Sequence, residues 1–233
     1  MLDFSRFEYL TFDCYGTLVD WEAGLLGALR PILEAHGKSI ADARVLEVYG
    51  ELEAELEEGS FIPYREVLRS VVRRFGKKLG FTPSLMEEDS LPTSMANWRP
   101  WPDTVAALKE LKTRYKLAII SNVDDDLFAP TSRHLKVKFD EVITAGQARC
   151  YKPGPAIFKM ALDRIGVPPA NVLHVGQSIY HDVLPGQSLG MSTVWVNRPS
   201  ARKNVGAVIT AKGKPDLEVP GLAELAGFAL QAA

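Results

Sequence analysis

Short apolar runs alternate with helical patterns along most of the chain, and this alternation restricts the fold more than any other feature of the sequence. Five runs have the length and composition of buried strands: 9–12, 116–121, 141–144, 171–175 and 192–196. Helical patterns separate the later runs. Strands that alternate with helices predict a parallel, doubly wound sheet of the α/β class, because right-handed crossovers place helices on its two faces.

One stretch interrupts this alternation. Residues 22–97 contain four helical patterns and no convincing strand, and they follow the first strand directly. The proline-rich segment "NWRPWPD" at 97–103 then has the character of a linker that returns to the sheet. We therefore expect an inserted helical cap.

Composition and charge exclude several classes of protein. The chain of 233 residues is 46% apolar, which is ample for a packed core. Its 27 basic and 29 acidic residues nearly cancel, and no basic stripe supports a nucleic-acid or membrane-surface partner. No signal peptide or membrane span is apparent, and the two cysteines form neither a disulfide framework nor a metal-ligand motif. We expect a soluble, cytoplasmic protein that binds neither nucleic acid nor membrane.

Polar residues follow four of the five predicted strands. The first strand is followed by Asp13, the second ends in Ser121 and Asn122, and Lys152 and Asp182 come after the third and fourth. Each residue alone is explained by a turn or a helix cap. Because ligands of open parallel sheets bind beyond the carboxyl ends of the strands, the complementary charges together predict a functional site at that edge.

The order of these motifs resembles the haloacid dehalogenase superfamily of hydrolases. The elements are "DxxGT", then "SN" at a strand end, then a lysine followed by proline, then a Gly-x-Ser stretch that ends in Asp. The resemblance covers the whole chain, since a helical cap after the first strand is also typical of that family. It implies a Rossmann-like core of residues 1–20 and 98–233, with the cap at 21–97.

Two positions disfavour the magnesium-dependent phosphatases of this superfamily. Tyr15 stands where those enzymes carry a second Asp, and Gln177 follows Gly176 where they carry a metal-binding Asp. Magnesium binds poorly where carboxylates are missing, so we expect no metal and no cofactor. Three histidines without clustered partners in the sequence also leave zinc unsupported: His36, His134 and His174.

The best resemblance within the superfamily is to the L-2-haloacid dehalogenase branch, whose "DxYGT" form appears here as "DCYGT". It implies that Asp13 attacks C2 of a short (S)-2-haloacid with inversion and forms an ester. Lys152 would keep the Asp13 carboxylate ionised by lowering its pKa. Asp182 would act as base on the hydrolytic water, which Ser178 would help to position.

The same resemblance implies the substrate contacts. Ser121 and the backbone N–H groups of Cys14 and Tyr15 would bind the substrate carboxylate, Thr17 would orient the nucleophile, and Asn122 would face the departing halide. The partner is thus a small 2-substituted carboxylic acid. A homodimer would follow family habit, but nothing in the composition requires one. Three aromatic residues are candidate pocket walls: Trp21, Phe61 and Tyr64.

The sequence departs from this branch on the side of the leaving group. Tyr49 stands where the family has a halide-binding arginine, with Arg44 or Arg65 as candidate substitutes, and Phe158 replaces a tyrosine. The segment "GQSIYHD" also differs from the "SSNxxD" of the best-matching dehalogenases.

Three alternatives therefore stay open: a phosphatase, a non-catalytic binding module, and a hydrolase that opens the ring of azetidine-2-carboxylate. The last resembles this chain around "LTFDCYGTLVDWE" and needs an acid for its amine leaving group, with Tyr15, Tyr49 or His181 as candidates. A small halide, as in fluoroacetate, is a further alternative for the leaving group.

Overall fold

A six-stranded parallel sheet forms the centre of the protein, in a computed structural model that describes residues 2–198 and 211–231. The strand order is β3-β2-β1-β4-β5-β6. The strands are β1 (Tyr9–Phe12), β2 (Lys116–Ser121), β3 (Glu141–Thr144), β4 (Val172–Gly176), β5 (Ser192–Val196) and β6 (Leu217–Val219). The parallel α/β sheet expected from the sequence is confirmed.

The first strand lies at the middle of the sheet. All residues of β1 and of β4 are buried, as expected for strands covered on both faces. Tyr9 pairs with Lys116 on one side and with Val172 on the other. Strand order reverses at β1, and ligands of doubly wound sheets bind at such a switch point. The residue after β1 is Asp13.

Six helices lie between β1 and β2, and the first five of them fall in the segment expected to form the cap. They are α1 (Trp21–Ala35), α2 (Asp42–Glu57), α3 (Tyr64–Leu79), α4 (Leu85–Glu88) and α5 (Ser90–Ser94). The helix α1 begins where the Asp20 side chain accepts the Ala23 N–H at 3.1 Å. These helices form the expected cap; the exact boundaries at residues 20 and 98 stay a proposal.

The fourth helical pattern of the cap breaks into short pieces. A capping box of Ser84 and Glu87 begins α4, and a 3₁₀ turn at Met95–Asn97 follows α5. Pro92 has no N–H to donate to the carbonyl of Glu88, so one continuous helix across the segment would lack that hydrogen bond.

The remaining helices flank the sheet. They are α6 (Thr104–Leu111), α7 (Asp125–Leu135), α8 (Ala145–Ala148), α9 (Pro155–Ile165), α10 (Leu184–Ser188) and α11 (Leu222–Gln231). A π-helical turn at Ile179–Val183 precedes α10, so the helical segment between β4 and β5 begins irregularly. No helix among the described residues is long and apolar enough to cross a membrane.

Arg198 joins the two chain passages between the sheet and the cap. Its guanidinium donates to the Thr17 carbonyl at 3.0 Å and to Asp103 at 2.8 Å, and lies 4.9 Å from the centre of the Trp101 ring. Thr17 lies on the outgoing passage, and Asp103 and Trp101 on the returning one. Asp103 also accepts the N–H of Leu222, at the start of α11.

Candidate active site

A buried ammonium joins two buried carboxylates at the carboxyl end of the sheet. Lys152 Nζ lies 2.7 Å from Asp13 Oδ1 and 2.7 Å from Asp182 Oδ1. Thr17 donates to the other Asp13 oxygen at 2.7 Å. Asp13, Lys152 and Asp182 are far apart in the sequence, and they meet at the sheet edge where the ends of the parallel strands were expected to bring them together.

Asp182 has further donors that Asp13 lacks. The N–H of Ser178 donates to Asp182 Oδ2 at 3.1 Å, and His174 Nε2 lies 3.2 Å from Asp182 Oδ1. The other ring nitrogen of His174 contacts Thr11 Oγ1 at 2.8 Å. The sequence left His174 without a partner; its position on β4, facing Asp182, supplies one that residue spacing does not reveal.

A glycine allows Asp182 to reach the end of β4. A Cβ on Gly176 would lie 2.3 Å from Asp182 Cγ, closer than real Cβ atoms approach other atoms. Any larger residue would therefore push the carboxylate away from Lys152.

The shared ammonium affects the two carboxylates differently. Burial acts to raise the pKa of Asp182, but Lys152 and His174 outweigh it, and the pKa lies below its usual range. For Asp13, burial and repulsion from Asp182 outweigh Lys152, so its pKa is raised. Burial also opposes the charge of Lys152, yet the two carboxylates raise its pKa overall. Lys152 thus acts to lower the Asp13 pKa as expected, but it does not set the net direction, because one ammonium serves two buried acids.

A cavity of about 60 Å³ adjoins this cluster. Besides Asp13, Lys152 and Asp182, its walls include side chains expected from the sequence: Tyr15, Trp21, Tyr64, Ser121, Asn122 and Ser178. Four further wall residues were not expected there or were expected only at its rim: Glu53, Glu57, Gln177 and His181.

Two hydrogen-bond donors in this wall are buried and have no partner within the described residues. They are the Ser121 hydroxyl and the Trp21 indole N–H. Buried polar groups in proteins are nearly always paired, so these two are suited to an oxygen-bearing ligand.

Three other residues expected to contact the substrate make contacts within the protein instead: Tyr15, Asn122 and Cys14. The Tyr15 hydroxyl lies 3.0 Å from Thr131 Oγ1, on α7. Asn122 donates to the Lys152 carbonyl at 3.2 Å and accepts the Lys152 N–H at 2.7 Å, which anchors the lysine backbone. The Cys14 side chain is fully buried in the apolar core, and burial raises the pKa of its thiol.

Some candidates lie away from the cavity. Arg44 pairs with Glu47 at the surface, and Arg65 with Asp126. Neither is among the cavity wall residues. Phe61 belongs to a neighbouring cavity of about 330 Å³, which shares Glu57, Lys152 and His181 with the first.

The donor set does not suit a divalent metal ion. Asp13 and Asp182 have all four carboxylate oxygens within hydrogen-bond distance of Lys152, Thr17, His174 or the Ser178 amide. No group of three or more His, Cys, Asp or Glu side chains in the described ranges has metal-binding geometry. Gln177 supplies an amide where a third nearby carboxylate would be needed.

The chain is similar in sequence to known hydrolases. It is 26% identical over 223 residues to an (S)-2-haloacid dehalogenase of Pseudomonas fluorescens, covering 93% of this chain and 94% of that protein. It is 36% identical over 109 residues to haloacid dehalogenase-like hydrolase domain-containing protein 3 of Danio rerio, covering 46% of this chain and 45% of that protein.

A solved structure has the same fold. The L-2-haloacid dehalogenase from Xanthobacter autotrophicus, with chloropropionic acid covalently bound, aligns with a TM-score of 0.81 at 23% identity. The alignment covers 97% of this chain and all of that one. The family model of the haloacid dehalogenase-like hydrolases matches residues 7–190. The chain therefore belongs to the haloacid dehalogenase-like hydrolase family.

Proposed function

We propose that the protein hydrolyses the carbon–halogen bond of a short (S)-2-haloacid through an ester on Asp13. The observation that carries this proposal is the placement of Asp13 against Lys152 and Asp182, at the wall of a small cavity that also presents the buried donors of Ser121 and Trp21.

In the first step, an Asp13 carboxylate oxygen attacks C2 and the carbon–halogen bond breaks, with the halide leaving with the bonding pair. Halide is a weak base, so this step needs no proton donor. Ser121 and Trp21 would hold the substrate carboxylate, and Thr17 and Lys152 would fix the orientation of Asp13.

In the second step, water attacks the ester carbonyl carbon of Asp13 and gives up a proton to Asp182. The ester C–O bond then breaks between the carbonyl carbon and the substrate oxygen. The product is the 2-hydroxy acid, and Asp13 is restored as a carboxylate. Overall, haloacid and water give hydroxy acid, halide and a proton.

Metal independence is part of the proposal. Lys152 supplies the positive charge beside both carboxylates, and their oxygens are already hydrogen-bonded. The same arrangement disfavours a phosphatase, because a phosphate dianion would meet a wall that contains four carboxyl groups and one lysine among its described residues.

The relatives support dehalogenation as the general reaction. An (S)-2-haloacid dehalogenase aligns along 94% of its length, and the structural relative from Xanthobacter carries chloropropionic acid covalently bound.

The test is halide release in the presence of EDTA from L-2-chloropropionate, D-2-chloropropionate and fluoroacetate. Wild type is compared with Asp13→Ala. We expect release from an L-substrate and a loss of at least about 1,000-fold in the variant, since it removes the nucleophile. A single turnover in ¹⁸O-labelled water should also leave label in the Asp13 carboxylate.

Release that persists in the folded Asp13→Ala variant would contradict the ester mechanism. Absence of release from all three acids would contradict the dehalogenase proposal and direct the search to azetidine-2-carboxylate.

A further inference from the structure

The cap contributes two acidic side chains to the cavity wall. Glu53 and Glu57 are four residues apart and therefore lie on one face of α2. Glu53 Oε1 accepts the hydroxyl groups of Tyr49 and Tyr64, each at 2.6 Å. Glu57 Oε2 accepts Asn122 Nδ2 at 3.3 Å, across the boundary between cap and sheet. Both carboxyl groups are thus held at defined positions.

Neither of these two acids forms an ion pair with a described residue, although Arg149 lines the neighbouring cavity together with Glu57. Among the described residues of the cavity wall, Lys152 carries the one permanent positive charge, and it is bonded to Asp13 and Asp182. His181 is neutral at physiological pH, because burial lowers its pKa to about 4. The partners of Glu53 are tyrosine hydroxyls, which neutralise no charge.

The lack of a paired countercharge is reflected in the raised pKa values of both carboxyl groups. Burial raises the pKa of Glu53 to about 6. Burial and the neighbouring Glu53 raise the pKa of Glu57 well above its usual range and outweigh the opposing charge of Lys152. Like charges at this spacing on a helix are destabilising, and an apolar pair would line the cavity at lower cost.

A simple haloacid leaves the two cap acids of this wall without a countercharge. It enters as an anion and releases a second anion, the halide, into a cavity with four carboxyl groups in its wall. A ligand with a protonated nitrogen would instead supply the missing positive charge, while its carboxylate meets Ser121 and Trp21.

We propose that Glu53 and Glu57 form a subsite for a positively charged nitrogen of the substrate, so that the substrate is a zwitterionic 2-substituted acid. This inference rests on the proposed function for the position of the substrate carboxylate. It adds what that function leaves open: the chemistry at the far end of the substrate.

Two isosteric 2-hydroxy acids test the subsite without any reaction. 3-Amino-2-hydroxypropanoate carries an ammonium where 2-hydroxybutanoate carries a methyl group. Their dissociation constants are measured by titration calorimetry with wild type, Glu53→Gln and Glu57→Gln. Glutamine keeps the shape and an acceptor oxygen but removes the charge. Glu55→Gln is the matched control on the same helix, because Glu55 pairs with Arg74 and its side chain is 63% exposed.

We expect wild type and Glu55→Gln to bind the amino compound at least about tenfold tighter, which corresponds to about 1.4 kcal/mol. In Glu57→Gln and Glu53→Gln this preference should fall towards one, while binding of 2-hydroxybutanoate is retained. Tighter binding of 2-hydroxybutanoate by wild type would overturn the proposal. So would a preference unchanged in both glutamine variants, or the absence of binding by either acid.

A kinetic comparison separates two positions of the nitrogen. Halide release from 3-amino-2-chloropropanoate places it in the side chain. Opening of azetidine-2-carboxylate places it in the leaving group: Asp13 attacks C2, the C2–N bond breaks, and the nitrogen keeps the pair and takes up a proton. Failure of the ester mechanism would appear as absence of label in Asp13, whatever the calorimetry shows.

Discussion

The two walls of the cavity treat buried charge in opposite ways. On the sheet side, Asp13 and Asp182 share the ammonium of Lys152, and other donors complete their hydrogen bonds. On the cap side, Glu53 and Glu57 have only hydroxyl and amide partners. The sheet side is thus a partly compensated cluster, in which one ammonium serves two acids, and the cap side is an uncompensated one.

This difference indicates a division of roles. A compensated cluster keeps its geometry whatever the cavity contains, which suits the groups that break and form bonds. An uncompensated pair is stabilised by a ligand of opposite charge, which suits the groups that select the substrate. Three predictions test the contrast, in order of decreasing effect.

Replacing the shared cation should give the largest change in stability. Lys152→Met keeps the length of the side chain but leaves Asp13 and Asp182 buried without a countercharge. We expect the free energy of unfolding at pH 7 to fall by about 3–5 kcal/mol, the usual effect of removing one partner of a buried ion pair. Urea denaturation measures it.

The matched control is Lys159→Met, which changes an exposed lysine on α9. It should change the free energy of unfolding by no more than about 0.5 kcal/mol. Equal stability of the two variants would show that the cluster is not compensated by Lys152.

Removing a cap acid should have a smaller effect with a distinct pH dependence. Because the pKa of Glu53 is raised from 4.5 to about 6, the folded chain holds this proton more tightly than the unfolded chain. Its contribution to stability is fully present below pH 4.5 and is lost as pH rises through about 6. We expect Glu53→Gln to gain up to about 2 kcal/mol relative to wild type between pH 4.5 and pH 7.

Urea denaturation across this pH range provides the measurement, with Glu55→Gln as control. A stability difference between Glu53→Gln and wild type that does not vary with pH would show that the pKa of Glu53 is not raised. The two walls of the cavity would then not differ in how they treat buried charge.

Metal removal should have no effect. Since Lys152 provides the positive charge on the sheet side, halide release by protein dialysed against EDTA should equal that of untreated protein, with and without added magnesium. Stimulation by magnesium would mean that the carboxylates exchange their protein donors for a metal ion.

The sheet side of the site could be predicted from the sequence, because the topology of the fold determines which residues meet there. Parallel strands end at one edge, so residues that follow apolar runs, such as Asp13 and Lys152, are brought together by topology. The predicted strands have the observed bounds, except that β4 begins and ends one residue later, at Val172–Gly176. Strand β6 was not predicted, because Leu217–Val219 is too short to show an apolar pattern and follows a polar stretch.

The cap side of the site could not be predicted in the same way. The segment "ELEAELEE" has the composition of a solvated helix face, and only the orientation of α2 shows which of its acids turn inward. The spacing of Tyr49, Glu53 and Glu57 was the available signal. Helix packing angles depend on side-chain contacts that the pattern does not encode. The spacing alone therefore could not show that these side chains face the cavity.

The central position of β1 has a consequence for synthesis on the ribosome. Tyr9–Phe12 is translated well before its neighbours Lys116–Ser121 and Val172–Gly176. At translation rates of about 5–20 residues per second, both edges of β1 therefore stay without strand partners for several seconds. The cap helices are complete in that interval. Asp13 thus meets its ammonium partner, Lys152, only after the residues between them have been translated.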